Sequence, residues 1–173
     1  LLQIADEIII VDSCSTDKTK EICKTYSVKF IEQPFLGYKQ QKNFAVAQAK
    51  YDYVLSLDGD EALSHELKRS ILEVKKDFNY DGYYVNRFNN YCGQWIKYSN
   101  WYPDRKLRLF KKRKGYWGGI NPHDNFKMFF ETKTARLKGD LLHWNYATYE
   151  EFDLKTDYFS SISAQSYYDL GRK

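Results

Sequence analysis

Residues 6–33 read DEIIIVDSCSTDKTKEICKTYSVKFIEQ. Four consecutive branched apolar residues, Ile8 to Val11, stand between acids, the pattern of a short strand buried on both faces. The turn formers that follow lead into Thr19, Ile22, Cys23 and Tyr26 at helical spacing, with Ser15 or Thr16 as N-cap. VKFIEQ is a second short strand, closed by Pro34. Strand, helix and strand in so short a span imply a right-handed crossover between parallel strands.

The alternation continues outward from this unit. LGYKQQKNFAVAQAK (36–50) reads as a loop entering a helix, YDYVLSL (51–57) as a third strand, and SHELKRSILEVKKDF (64–78) as a helix with Leu67, Ile71 and Val74 on one stripe. These six elements predict an α/β fold, doubly wound about a mainly parallel sheet. From Asp81 the texture changes. GYYVNRFNNY, KLRLFKK and ARLKGDLLHW are short β-like runs separated by Gly, Pro and Asn, and a helix is expected from about Ala147 to Leu170.

With 173 residues, 43% of them hydrophobic, the chain can bury a core as one domain. The formal net charge of +4 is too mild for a nucleic-acid binder. Cys14, Cys23 and Cys92 lack metal-like or CxxC spacing and read as reduced thiols of a cytoplasmic protein. The sequence opens at Leu1 without a Met, and LLQIADE reads as the tail of a helix entering a strand, so an upstream strand and helix are expected.

The acids mark the site. In open parallel sheets ligands bind beyond the carboxyl ends of the strands. Asp12 follows the first strand, and Asp58, Asp60 and Glu61 follow the third in LSLDGDEAL (55–63). Clustered carboxylates repel unless a cation offsets them, and Mg²⁺ or Mn²⁺ suits such oxygen donors. A hard ion held by one or two carboxylates completes its shell with water and substrate phosphates, which predicts a phosphorylated substrate. Gly59 leaves the backbone between the aspartates open to close approach. An EF-hand loop is a poor fit, because DGDEAL has Gly59 at the second position and Ala62 at the fifth, where D-x-D-x-D-G wants an acid. A DxDx[TV] phosphatase motif fails at Ala62.

DEIIIVDSCSTDKT, the Lys42-Asn43 pair and VLSLDGDEAL, in that order, resemble the nucleotide-binding half of a family 2 glycosyltransferase of the GT-A fold. NRFNNYCGQWIKYSNWYPDRKLRLFKK and NPHDNF resemble the branch that builds lipopolysaccharide core and similar bacterial surface glycans. The resemblance implies a Rossmann-like mixed sheet flanked by helices. A nucleotide-binding half (1–80) would be followed by a β-rich acceptor half (81–146) and a C-terminal helix (147–173). It implies that Asp12, Ser13, Lys42, Asp58 and Arg108 contact a nucleotide-sugar, most often a UDP-sugar. It further implies that Asp58, Asp60 and His143 hold Mg²⁺ or Mn²⁺, and that Asp124 is the base of an inverting transfer to a glycan or glycolipid hydroxyl. Asp124 stands where the family more often has Glu, and GGINPHDNF is turn-rich enough for Asp124 and His123 to be loop formers instead. His143, beside Trp144, reads equally as a packed hydrogen-bonder.

Seven of the ten residues from Arg105 to Lys114 are basic. Strand alternation puts Leu107 and Leu109 on one face, Lys106 and Arg108 on the other. The Lys111–Lys114 run reads as a solvated hairpin tip or a contact with the inner face of the cytoplasmic membrane. The C-terminal helix, expected to pack on the domain, has enough aromatic residues to share such a contact. The alternative to the enzyme is a truncated or degenerate module that binds nucleotide or glycan without turnover.

Overall fold

A computed structural model describes residues 1–121 and 123–171, with His123 described by its backbone alone. The strands are β1 (Ile9–Asp12), β2 (Lys29–Glu32), β3 (Tyr53–Leu55), β4 (Glu61–Leu63), β5 (Gly82–Tyr91), β6 (Gln94–Trp95), β7 (Asp104–Lys111), β8 (Gly115–Ile120), β9 (His123–Met128) and β10 (Thr134–Tyr146). The helices are α1 (Thr19–Lys24), α2 (Tyr38–Gln48), α3 (His65–Lys76) and α4 (Tyr149–Asp169).

The expected crossover forms, with β1 and β2 parallel and Asp12 opposite Glu32. Between them α1 is shorter than its apolar spacing suggested. Lys18 occupies its N-cap position and makes no side-chain cap bond, because Ser15 turns back onto Asp12. Cys23 is buried, whereas Ile22 and Tyr26 remain exposed.

The third strand corrects the mainly parallel expectation. β3 does not join β1 and β2; it runs antiparallel to β7, with Val54 opposite Phe110. A six-stranded mixed sheet has the order β3-β7-β5-β10-β4, with β6 on β5. Only β5 and β10 run parallel within it among the described residues. β8 and β9 form a separate antiparallel hairpin. The β-rich half thus builds most of the main sheet rather than packing onto a completed one, because its long apolar strands offer more ladder than the three-residue β3.

Helix α3 follows its pattern. The Ser64 hydroxyl accepts the Leu67 N–H at 3.2 Å, capping the helix. Leu67 and Ile71 are buried against Tyr83, Val85, Leu109 and Leu141, each worth about 1.5–3 kcal/mol. The helix approaches β10 so closely that a Cβ on Gly139, at φ +87°, would lie 2.2 Å from Leu67 N. Glycine is required there by both conformation and space. A second cluster, Leu107, Phe110, Trp117 and Phe126, joins β7 to the β8–β9 hairpin, with Phe110 and Phe126 stacked at a ring separation of 3.5 Å.

The expected alternation in KLRLFKK breaks at Arg108. Tyr83 pairs with Leu109 and Tyr84 with Leu107, so Arg108 is skipped in the register. This bulge sends Leu107 and Leu109 into different clusters and re-aims the arginine. It is 3% exposed rather than on a solvated face. Helix α4 is capped by Thr148, whose Oγ1 accepts the Glu151 N–H, and none of its residues is buried. No helix among the described residues is long and apolar enough to cross a membrane.

Candidate active site

LSLDGDEAL folds as strand, turn and strand. β3 ends at Leu55, the chain turns through Asp58–Asp60 with the Glu61 N–H on the Asp58 carbonyl at 3.1 Å, and β4 pairs with β10. Glu61 therefore lies in a strand opposite His143, not in the start of a helix. The bulge at Arg108 brings its Nη2 to 2.8 Å from Asp58 Oδ2 and 2.5 Å from Glu61 Oε1. Burial works against the charge of Asp58, but Arg108 and Lys42 outweigh it and hold its carboxyl at about 2. Burial pushes the Glu61 carboxyl up despite Arg108. Burial likewise opposes the charge of Arg108, yet Asp58 and Glu61 raise its affinity for the proton. A buried guanidinium is tolerable only with such partners.

Lys42, from α2, reaches the same place. Its Nζ is 3.1 Å from Asp58 Oδ1 and 3.1 Å from Asp124 Oδ2. The Asp124 side chain is 5% exposed, and its Oδ2 is ion-paired to Lys42 without a hydrogen bond in line. Lys42 also sits over the Trp117 ring at 4.5 Å, with the Arg108 guanidinium at 5.7 Å from the same ring. Asn43 fastens α2 to β8, donating to the Trp117 carbonyl at 2.8 Å and accepting its N–H at 2.9 Å. The Lys-Asn pair therefore divides its work: the lysine enters the site and the asparagine holds the helix that presents it.

Asp60 lies on the open side of this cluster. Its Oδ2 is 3.4 Å from His143 Nε2. The Asn89 amide donates to the Trp101 carbonyl at 3.2 Å, which turns its oxygen toward His143 Nδ1 at 2.6 Å. That bond assigns a ring proton to Nδ1 and leaves Nε2 facing Asp60. With Nε2 protonated the two pair directly; with Nε2 unprotonated, the carboxylate and the imidazole nitrogen are both ligands that Mg²⁺ or Mn²⁺ accepts. Burial resists ionisation of Asp60, and contact with His143 more than offsets it, lowering its carboxyl. Among the described residues no three His, Cys, Asp or Glu side chains are gathered as a ready-made metal cage. Asp60 and His143 meet, while Asp58 is turned to its two cations.

Comparison with known proteins gives the family of the fold. The profile of Glycosyl transferase family 2 matches residues 2–136. The chain belongs to this family. It is 34% identical to an uncharacterised glycosyltransferase of Rickettsia typhi over 98% of its own length and 62% of that protein's. It is 29% identical to the lipopolysaccharide core biosynthesis glycosyltransferase LpsC of Rhizobium meliloti, over 99% of this chain and 66% of LpsC. Thus the chain spans about three fifths of the Rickettsia relative. Among solved structures, S. aureus TarS in complex with UDP-GlcNAc superposes with a TM-score of 0.56 at 17% identity, covering 80% of this chain and 49% of TarS. The GT-A type of α/β fold expected from the motifs is thereby borne out.

Within this family 2 fold, Asp12 and Ser13 stand apart from the ion cluster. Asp12 is buried, and its carboxylate accepts the Ser15 N–H at 2.7 Å and the Ser15 hydroxyl at 2.6 Å. Ser13 Oγ accepts from Gln41 Nε2 at 3.2 Å. Helix α2 is the link, since Gln41 touches Ser13 and the next residue, Lys42, touches Asp58 and Asp124. His123, named with Asp124, has a side chain outside the described residues. Sequence reasoning missed Asn89, Trp117 and Arg87, and gave Glu61 too little. Arg87 Nη2 pairs with Asp104 at 2.7 Å, and Nη1 lies 3.9 Å from Glu61. The signal for Asn89 was its position in NRFNN, polar residues inside an otherwise apolar strand. Trp117 gave none, since an aromatic between glycines reads as core.

Proposed function

We propose that this chain carries the site of a metal-dependent, inverting glycosyltransferase. The reaction moves a sugar from a nucleotide-sugar, a UDP-sugar, to a hydroxyl of a lipopolysaccharide core or another bacterial surface glycan. The observation that carries the proposal is the Asp60–His143 pair, a carboxylate oxygen and an imidazole nitrogen 3.4 Å apart beside the Lys42 and Arg108 cluster. The name of LpsC supports the acceptor class and the UDP-GlcNAc complex of TarS the donor class.

In this reading Asp12 and Ser13 lie toward the base, and Asp58 toward the ribose. Lys42 and Arg108 stabilise the charge left on the diphosphate as the sugar departs. Asp60 and His143 hold the divalent ion, which when bound supplies positive charge to that leaving group. Asp124 takes the proton of the attacking hydroxyl, and a single base on the acceptor side gives inversion. Lys42 must release Asp124 for that step, and an arriving diphosphate competes for the same ammonium. The protein works in the cytoplasm, with the Lys111–Lys114 run and α4 toward the membrane's inner face.

The test is thermal stabilisation by UDP with and without Mn²⁺, together with UDP-sugar hydrolysis. Asp60→Ala should lose both the metal-dependent shift and turnover. Full retention of both would sink the proposal. A second reading, a module that binds nucleotide or glycan without turnover, is favoured by the burial and ion pairing of Asp124. Metal-dependent UDP binding with neither hydrolysis nor transfer would establish it.

A further inference from the structure

Of the three acids in LSLDGDEAL, Asp58 has a side chain 32% exposed, Asp60 47% and Glu61 0%. A fully enclosed carboxylate needs partners for both oxygens. Glu61 Oε1 takes Arg108 Nη2 at 2.5 Å, and Oε2 takes the Asp58 N–H at 3.0 Å. Arg108 Nη2 in turn reaches the Asp58 carboxylate at 2.8 Å. The three residues close a ring. Glu61 grips Asp58 at its backbone directly and at its side chain through the arginine.

We propose that Glu61 is a positioning residue for the nucleotide-sugar: it fixes the Asp58–Asp60 turn and the Arg108 guanidinium together before the donor arrives. The proposal rests on the donor reading above.

Two observations say that the turn needs such a brace. Gly59 is open, a Cβ there meeting nothing within 4 Å, so packing does not restrain that point of the turn. Arg108, meanwhile, enters from a bulge, where its aim depends on what its side chain bonds. Its Nε and Nη1 are buried without partners. Of its nitrogens only Nη2 is bonded, so the aim of the guanidinium rests on the Glu61 and Asp58 carboxylates and the Trp117 ring. A static contribution to the core is the rival role. It requires that Glu61 neutralise Arg108 but does not require its reach.

Glu61→Asp separates the two roles. It keeps the charge, so Arg108 is not stranded, but the shorter arm cannot hold both the arginine and the Asp58 N–H. Glu61→Gln is the neutral counterpart. UDP affinity with Mn²⁺, measured by calorimetry on folded protein, should fall about tenfold or more in Glu61→Asp. The KM for a UDP-sugar should rise in parallel, with the acceptor KM unchanged. Affinity within twofold of wild type in a folded Glu61→Asp variant overturns the proposal and leaves the donor reading standing. Failure of the wild type to bind UDP overturns both. If neither variant folds, hydrogen exchange at the Asp58 amide of the wild type decides. Protection already present without UDP supports the brace, and protection that appears only with UDP removes it.

Discussion

Two acidic turns, 12–15 and 58–61, leave their strands in similar fashion and end in different chemistry. In the first, Asp12 spends both carboxylate oxygens on Ser15, three residues away. In the second, Asp58 and Glu61 reach Arg108 from β7, and Asp58 also meets Lys42 from α2. The first turn is held by its own sequence, while the second is held by the tertiary structure. A local turn can form early and tolerate substitution elsewhere. The second requires β7 to be in register and α2 docked before its charges are matched.

The largest effect should come from removing the open-side pair. Asp60→Ala and His143→Ala should each abolish metal-dependent UDP stabilisation, whereas Asp12→Ala should weaken UDP binding without changing its metal requirement. Equal metal dependence in all three would erase the distinction between the turns.

Next is Arg108→Met, which removes the cation bonded to the buried Glu61 and leaves only Arg87, 3.9 Å away. Breaking a buried pair in this way costs about 3–5 kcal/mol, visible as a fall of roughly 10 °C in Tm for a domain of this size. A fall of only a degree or two would mean that water reaches the site.

The pH dependence should follow the second turn. Asp58 is held at about 2 when folded, and an unfolded Asp titrates near 4. Its ion pairs therefore stabilise fully above about pH 4, and that contribution is lost as pH falls toward 2. Lowered Asp60 and Asp104 act in the same sense, and raised Glu61 acts against it. Asp58→Asn should flatten this part of the acid-unfolding curve, removing about 1–2 kcal/mol of pH-dependent stability after solvent screening. An unchanged slope would deny the pairing.

Asp12→Ala should cost about 1 kcal/mol through the lost Ser15 bonds, readable in chemical denaturation. Smallest of all is Gly59→Ala, within about 0.5 kcal/mol of wild type, because the space is open. If it nonetheless weakens UDP binding, the ligand passes over Gly59. Unchanged binding would confine the donor to the Arg108 side.

How far the sequence could be read follows the same division. The β1–α1–β2 crossover, the apolar stripe of α3 and the extent of α4 rest on neighbours in the chain and were legible from spacing; that Ser64 caps α3 was not read. α1 was overextended because Ser15 serves Asp12 rather than the helix. The parallel placement of β3 failed because a three-residue strand takes whatever ladder its partner provides, and β7 provides an antiparallel one. Asp58, Asp60, Lys42, Asp124, Arg108 and His143 were identifiable as chemistry-bearing residues. Their pairings were not, since each joins residues far apart in the chain.

The sequence by itself determined the α/β elements, the turn that presents Asp58 and Asp60, and membership of glycosyl transferase family 2. Alternation, caps and acid spacing are local properties that survive without the rest of the chain. Only the tertiary structure decided that Arg108 is buried, that Glu61 joins it to Asp58, and that Asn89 aims His143 at Asp60. One skipped residue in the β5–β7 register turns a solvent-facing arginine inward, and charge pairing inside the fold then selects its partners.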